Sequence, residues 1–256
     1  MNPTVHTPSG RPAGVYSGGF FIPDFYHRYI EPLRAMALEP IGDIADISLT
    51  ETSPFLISVI DWDVHTIGDF SGDTGQHSIN TNPPVLIGNN SLKYDDISAT
   101  GEHIYATSGL TFPGQGDLFR VYHYADSAGT STNVANYQFG VQSGDPTNNY
   151  HIYIDNRSGR SNMFLYRDNY GTELASSQTN IVIGFEWVEH TLRWETDGTI
   201  TAKTYEIDQT DASRVQEVRS LTHTDTTYTS GGVGFLRGGA GDDGSVWDNM
   251  DIIGSA

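Results

Sequence analysis

The chain has no cysteine among its 256 residues, so a disulfide framework and a thiolate metal site are both excluded. No stretch approaches the roughly 18 apolar residues that span a bilayer. The opening MNPTVHTPSGRP lacks a cationic start and an apolar core, so neither a signal peptide nor membrane insertion is expected. Lysine is almost missing: only Lys93 and Lys203 occur, and arginine supplies the other basic groups. Thirteen basic residues face 32 acidic ones, a formal charge of −19. Such a chain cannot build the basic patch that replaces counterions on a nucleic acid. Catalytic signatures are missing too. The nine histidines form no HExxH pair, and there is no nucleophile elbow and no phosphate loop followed by lysine.

The acidity has a physical reading. In dilute buffer the surface repels itself; at molar salt the Debye length falls to about 3 Å, so repulsion is screened while hydrated carboxylates preserve solubility. We read a halophilic protein made in a high-salt cytoplasm, against the plainer alternative of an acidic protein from ordinary salt.

From Val59 onward, short alternating runs are separated by turn residues at intervals of about 8 to 12, the spacing of an all-β sandwich. QHSINTN, NSLKYDD, HIYATSGL, LFRVYHYAD, NYQFGVQSG, YHIYIDN, MFLYRDN, HTLRWETD, TITAKTYEID and VQEVRSLT are the strand candidates. Asp197-Gly198 between two such runs is the strongest hairpin signal. Residues 1–58 differ. A Pro/Gly-rich arm, extended or irregular, precedes a short amphipathic helix with Phe25, Tyr29, Leu33 and Met36 on one face. Phe20, Phe21, Phe25, Tyr26 and Tyr29 crowd this segment, and a helix so short cannot bury them alone. They are assembly candidates, to be covered by the chain's own sandwich, a sister subunit of a homo-oligomer or a larger assembly. We therefore expect two parts: 1–58 as an anchoring segment and 59–256 as the sandwich.

The closing stretch Gly231–Ile253 alternates on both sides of a Gly/Asp turn and reads as a β-hairpin. Val59–Phe70 is its expected opening partner, so that the two shut the domain like a clasp. The runs DWDVHTIGDFSGDTGQHSI, GNNSLKY and SVWDNMDI resemble the concanavalin A-like (lectin/glucanase, laminin-G-like) jelly-roll superfamily, in versions found in salt-loving archaea and their tailed viruses. The resemblance covers roughly residues 59–254 and implies a jelly-roll β-sandwich with Trp187, Leu192 and Trp194 in its core. It also implies a structural calcium ion, held between the opening and closing strands by Asp63 and Asp248. Alternatively, Asp248 accepts hydrogen bonds from the adjacent turn. Glycan binding is the other inherited possibility: Tyr137, Tyr150, Tyr153, Tyr166 and Tyr170 could form a stacking platform, unless they are half-buried strand formers.

Glucanase-type jelly rolls need alternating carboxylates on one strand, with a retaining pair roughly 5 Å apart. Glu186-Trp187-Val188-Glu189 comes nearest but lacks the intervening aspartate, so no enzyme is expected. Three readings follow. The first is a virion structural protein of a haloarchaeal tailed virus, displayed on the outer surface as a capsid turret, decoration or tail component, bound to other virion proteins and touching host surface glycans. The second is a cell-surface or secreted carbohydrate-binding module. The third is a divergent glycosidase. The charge makes one prediction at once: thermal melts between tens of millimolar and molar salt should show a marked rise in Tm, and a flat Tm overturns the halophilic reading.

Overall fold

The computed structural model describes residues 4–6, 12–17, 20–22, 55–81, 85–94, 103–125, 134–155, 162–178, 186–236 and 246–254. The chain divides into two compact units, Met1–Thr52 and Ser53–Ala256.

In the first unit, β1 (Thr4–His6), β2 (Pro12–Ser17) and β3 (Phe20–Ile22) form an antiparallel meander in the order β1-β2-β3. Of the two expectations for the arm, extended or irregular, the described residues follow the first, and they are paired as strands. The reason is legible afterwards: Gly18-Gly19 between β2 and β3 is a two-residue hairpin signal. Phe20 and Phe21 belong to β3, opposite Ser17 and Tyr16. Phe25, Tyr26, Tyr29 and the expected helix lie outside the described residues.

The second unit runs through β4 (Phe55–Ile60), β5 (Ser71–Gly72), β6 (His77–Asn80), β7 (Ser91–Tyr94), β8 (His103–Ala106), β9 (Leu118–Ala125), β10 (Val134–Val141), β11 (Tyr150–Asp155) and β12 (Asn162–Arg167). It continues through β13 (Thr172–Gln178), β14 (Glu186–Trp194), β15 (Thr199–Ile207), β16 (Arg214–Thr224), β17 (Gly232–Leu236) and β18 (Val246–Gly254). Among the described residues these make a seven-stranded sheet, β13-β12-β11-β10-β17-β8-β5, and an eight-stranded one, β16-β15-β14-β9-β18-β7-β6 with β4 also on β18. All described pairings are antiparallel. The expected jelly-roll sandwich is what forms.

Period-2 alternation explains how the sheets meet. Tyr137 and Phe139, Tyr150, Ile152 and Ile154, and Met163 and Leu165 point inward from β10, β11 and β12; Leu192, Trp194, Ile200 and Ala202 answer from β14 and β15. Each of the larger apolar side chains contributes on the order of 2 kcal/mol by leaving water. Trp187 is also buried, but in a second cluster with Tyr122, Ile207 and Val246. The Asp197-Gly198 turn joins β14 to β15 as expected, with Gly198 at φ +86°. β13 was not among the expected strands, because TELASSQ has no apolar alternation to announce it.

The core also holds polar rings. His123 and His190 lie 5.8 Å apart, and Trp247 is 4.7 Å from His123. Burial, aided by the Arg219 charge, pushes His123 down to about 3, and His190 is driven well below its ordinary value by the same burial. Both are therefore neutral at pH 7 and pack as aromatic plates.

The clasp exists in altered form. β18 pairs with β4 from Met250↔Ile60 to Gly254↔Phe55, so the opening strand is Phe55–Ile60 rather than Val59–Phe70. Residues 61–69 turn instead: Asp61 O accepts from Val64 N and His65 N, and a short 3-10 turn covers Ile67–Asp69. Nor do the two halves of the closing stretch form a hairpin. β17 lies in the seven-stranded sheet and β18 in the eight-stranded one; alternation identifies a strand but does not assign it to a sheet.

A chain starting at Ser53 keeps all of β4, whereas one starting at Asp61 strips it from β18 and bares the Met250–Gly254 flank. We expect the first to melt cooperatively and the second to be destabilised by several kcal/mol or to aggregate. Equal denaturant midpoints for the two would refute this role for β4.

Candidate functional site

Two places gather the residues singled out above. The first is the clasp. β9 covers one flank of β18 along its whole length, so β4 and β7 share the other flank end to end, with β7 opposite Val246 and Trp247. Register shifts between Trp247 and Met250, which makes Asp248-Asn249 a bulge at the handover. The bulge sends the fully buried Asp248 carboxylate to the loop 85–90, where Oδ2 accepts from Leu86 N at 2.8 Å and Ile87 N at 3.0 Å. Oδ1 accepts from Asn249 N at 2.8 Å. Asp63, in the turn after β4, takes the other side of the loop: its two oxygens accept from Asn89 N at 3.0 and 3.1 Å. Gly88 between them has φ +75°, and a Cβ there would stand 2.1 Å from Asp63 Oδ2.

Asp63 and Asp248 thus hold the same loop at different points, Asp248 at Leu86 and Ile87 and Asp63 at Asn89. N–H groups with their positive ends forward face both carboxylates, where a calcium cage needs six to eight oxygens. Among the described residues no three acidic or histidine side chains form a metal cluster. As placed, the pair fits a loop latch rather than a cation site, which is the alternative given for Asp248 above.

Burial pushes Asp248 up to about 6, the Asp63 charge adding to it and the three N–H groups opposing it. The folded state thus keeps a proton that the unfolded chain has released above pH 4, and this group's share of stability declines as pH rises from about 4 to 6. Asp248→Asn should cost stability at pH 4 and lose on the order of 2 kcal/mol of that penalty by pH 7. Urea melts across this range check the trend, and a pH-independent difference refutes it. Chelator should leave the melting temperature unchanged.

The second place is the outer face of the seven-stranded sheet. Five tyrosines were grouped as a platform, and strand parity divides them. Tyr137 and Tyr150 point inward and are fully buried; Tyr150 Oη donates to Asp225 Oδ1 at 2.6 Å. Tyr150 and Tyr153 are three apart on one strand, so they cannot share a face. Tyr153, Tyr166 and Tyr170 do come together outside, with Phe164 and His151, which the sequence reading had missed. Tyr153 is 5.6 Å from Phe164 and 5.9 Å from Tyr170, and Phe164 is 5.8 Å from Tyr166. His151 stacks on Tyr166 at 5.2 Å and meets Tyr170 edge-on at 4.4 Å. These four larger rings are half-buried, so each keeps an open edge or face.

Beneath them lies a polar floor. Asn136, Gln138 and His151 project from β10 and β11 on the outer face and are fully buried, as is Asn149 before β11. Among the described residues, Asn136 Nδ2, Gln138 Oε1, Asn149 Oδ1 and both His151 ring nitrogens have no hydrogen-bond partner. Burial drives His151 down to about 3, so its imidazole is neutral. Alternation could have revealed this floor: Asn136 and Gln138 interleave with Tyr137 and Phe139, which are core.

The other outer face offers less. Arg193, Lys203 and Arg214 line a shallow groove there, but they are paired with Glu195, Glu217 and Glu189. Glu189 is sealed beneath Arg214 while Glu186 is exposed, so no cleft of paired carboxylates forms at this strand.

No family model and no curated protein matches the chain. Solved structures do. The exoplasmic/lumenal domain of VIP36, in a Ca2+/Man3GlcNAc-bound form, aligns over 78% of this chain and 88% of its own at 12% identity and a TM-score of 0.50. A protein of unknown function from Shewanella oneidensis aligns over 93% and 95% at 16% identity and a TM-score of 0.51. A legume lectin-like domain from Entamoeba histolytica aligns over 71% and 91% at 9% identity, with a TM-score of 0.45. At such identities the likeness shows the fold alone, a jelly-roll β-sandwich like those of the VIP36 domain and the Shewanella protein.

Proposed function

We propose that this protein is a non-enzymatic carbohydrate-recognition module that binds through the outer face of its seven-stranded sheet. The observation carrying this is the contiguous set Tyr153, Phe164, Tyr166 and Tyr170 above buried amide and imidazole groups. Sugar rings need an apolar plate for their C–H faces and fixed polar groups for their hydroxyls, and this face supplies both. VIP36, whose fold it shares, is described in a mannose-glycan-bound form. That supports the reading without fixing the sugar or the place where it binds.

A second reading concerns where the module works. The net charge of −19 suits molar salt, and the separate first unit carries an aromatic-rich segment. Both support display on the outer surface of a haloarchaeal tailed virus, with Phe20, Phe21, Phe25, Tyr26 and Tyr29 anchoring the chain in a homo-oligomer or to capsid or tail proteins. Host surface glycans would then be the ligand. Electron microscopy of native particles with a labelled antibody tests that placement.

Glycan-array binding in molar salt tests the module itself. A hit whose affinity falls about tenfold in Tyr166→Ala, the loss of a stacking contact of roughly 1.4 kcal/mol, and is unchanged in Tyr150→Phe supports this face. Binding indifferent to Tyr153, Tyr166 and Tyr170 would move the site elsewhere.

A further inference from the structure

The turn between β12 and β13 carries three consecutive residues in the left-handed region: Asp168 at φ 60°, Asn169 at 47° and Tyr170 at 68°. None is glycine. Asparagine tolerates that region, but tyrosine there is an outlier, and such strain survives only where surrounding contacts impose it. The contacts are specific. Asn169 Oδ1 accepts from Gln138 Nε2 at 3.0 Å and from Asn149 Nδ2 at 2.7 Å. Tyr170 Oη donates to Asn136 Oδ1 at 2.9 Å, while its ring abuts His151. Below, Asp168 N donates to Asn149 O, and Arg167 ties the strand end to Asp168 and Asp225. The turn thus folds back over the sheet and touches every member of the polar floor.

That floor is otherwise expensive. Each buried donor or acceptor without a partner carries a desolvation penalty that native proteins seldom leave unanswered. Here the unanswered set among the described residues is mixed: the two N–H donors of Asn136 Nδ2, acceptors on Gln138 Oε1 and Asn149 Oδ1, and a neutral His151 with one of each. Gln138 lies flat across β17, where a Cβ on Gly234 would come within 2.7 Å of Oε1, so it is held in place from below. Alternating donors and acceptors complement adjacent hydroxyls, each of which gives one hydrogen bond and accepts others. No cationic side chain stands in the floor, and Glu173 sits at its rim within 3.5 Å of Tyr166 Oη; an anionic sugar would be repelled.

We infer that the Asp168–Gly171 turn is a strap that closes over a polar subsite formed by Asn136, Gln138, Asn149 and His151, and that it yields to an uncharged pyranoside whose vicinal hydroxyls take over the strap's hydrogen bonds. The inference rests on the glycan reading for its ligand, while the strap stands on the turn alone. Opening releases backbone strain and exposes Tyr166 and His151; binding repays the lost contacts. A closed strap lowers apparent affinity by the fraction of molecules that are open.

Two measurements on the full chain in molar salt separate these parts. In native-state hydrogen exchange the Asp168 and Gly171 amides should exchange ahead of the Gln138 and Ile152 amides, and faster still in Tyr170→Phe, which keeps the ring but loses the latch to Asn136. Exchange of all four only through global unfolding overturns the strap. Calorimetric titration with methyl mannoside, galactoside and glucoside should show at least one binding about three- to tenfold tighter to Tyr170→Phe than to the parent, the worth of one released hydrogen bond. Gln138→Ala should weaken that binding although its side chain is buried in the closed form. Equal affinity in parent, Tyr170→Phe and Gln138→Ala overturns the subsite while leaving surface stacking intact. Binding of none of the three pyranosides by parent or variant overturns the ligand assignment, and a uronic acid bound in their place does the same.

Discussion

One desolvated carboxylate holds the sandwich's busiest strand in register with its neighbours. β18 must accept β9 along one flank and two different strands, β7 and β4, in succession along the other. A regular ladder cannot change partners in mid-strand without leaving backbone groups unpaired, and buried unpaired groups are costly. The bulge at Asp248-Asn249 resolves this by sending a side-chain acceptor outward to the N–H groups of Leu86 and Ile87. Loop 85–90 is thereby fixed, and its apolar side chains pack with Tyr122, Trp187 and Val246. Asn249 Oδ1 contributes from the same bulge by accepting from Trp62 N at 3.4 Å, and the Trp62 ring lies against Phe235, which in turn packs on Trp247.

The same economy appears at the outer aromatic face, with the opposite outcome. At the clasp every carboxylate oxygen finds an N–H. On β10 and β11 the amides and the imidazole are buried with capacity unspent, and the local backbone is strained above them. Buried polar atoms without a partner also occur in the core, at His123 and the Trp247 indole, but at the outer face they lie beneath a strained turn. That contrast separates the two places where the sequence had put candidate residues.

Much of the fold could be read in advance because it rests on period-2 patterning. The strands from β6 to β12 and from β14 to β16 are visible as alternating runs, and Asp197-Gly198 announced its hairpin. What escaped was relational. Alternation in Gly231–Ile253 revealed two strands but not their membership of opposite sheets, and TELASSQ hid β13 because an edge strand needs no apolar face. The candidate aromatic face was half legible for the same reason. Tyr153, Tyr166 and Tyr170 were named, yet Tyr137 and Tyr150 were named with them, because residue type was read without strand parity. His151 and Gln138 passed unnoticed because a buried polar group outside the core leaves no mark in composition.

The pairing of Phe55 with Gly254 has a mechanical side. In this antiparallel pair the chain enters and leaves the sandwich at the same end. A pull that separates those two ends loads the β4–β18 hydrogen bonds one at a time, from Gly254 back to Met250, so β4 peels like a zip instead of resisting in shear. β18 stays behind, still held by β9. The domain therefore has a weak tear line at its entrance and a strong seam beside it, and tension along the chain is relieved by shedding one strand before the rest of the sandwich is disturbed.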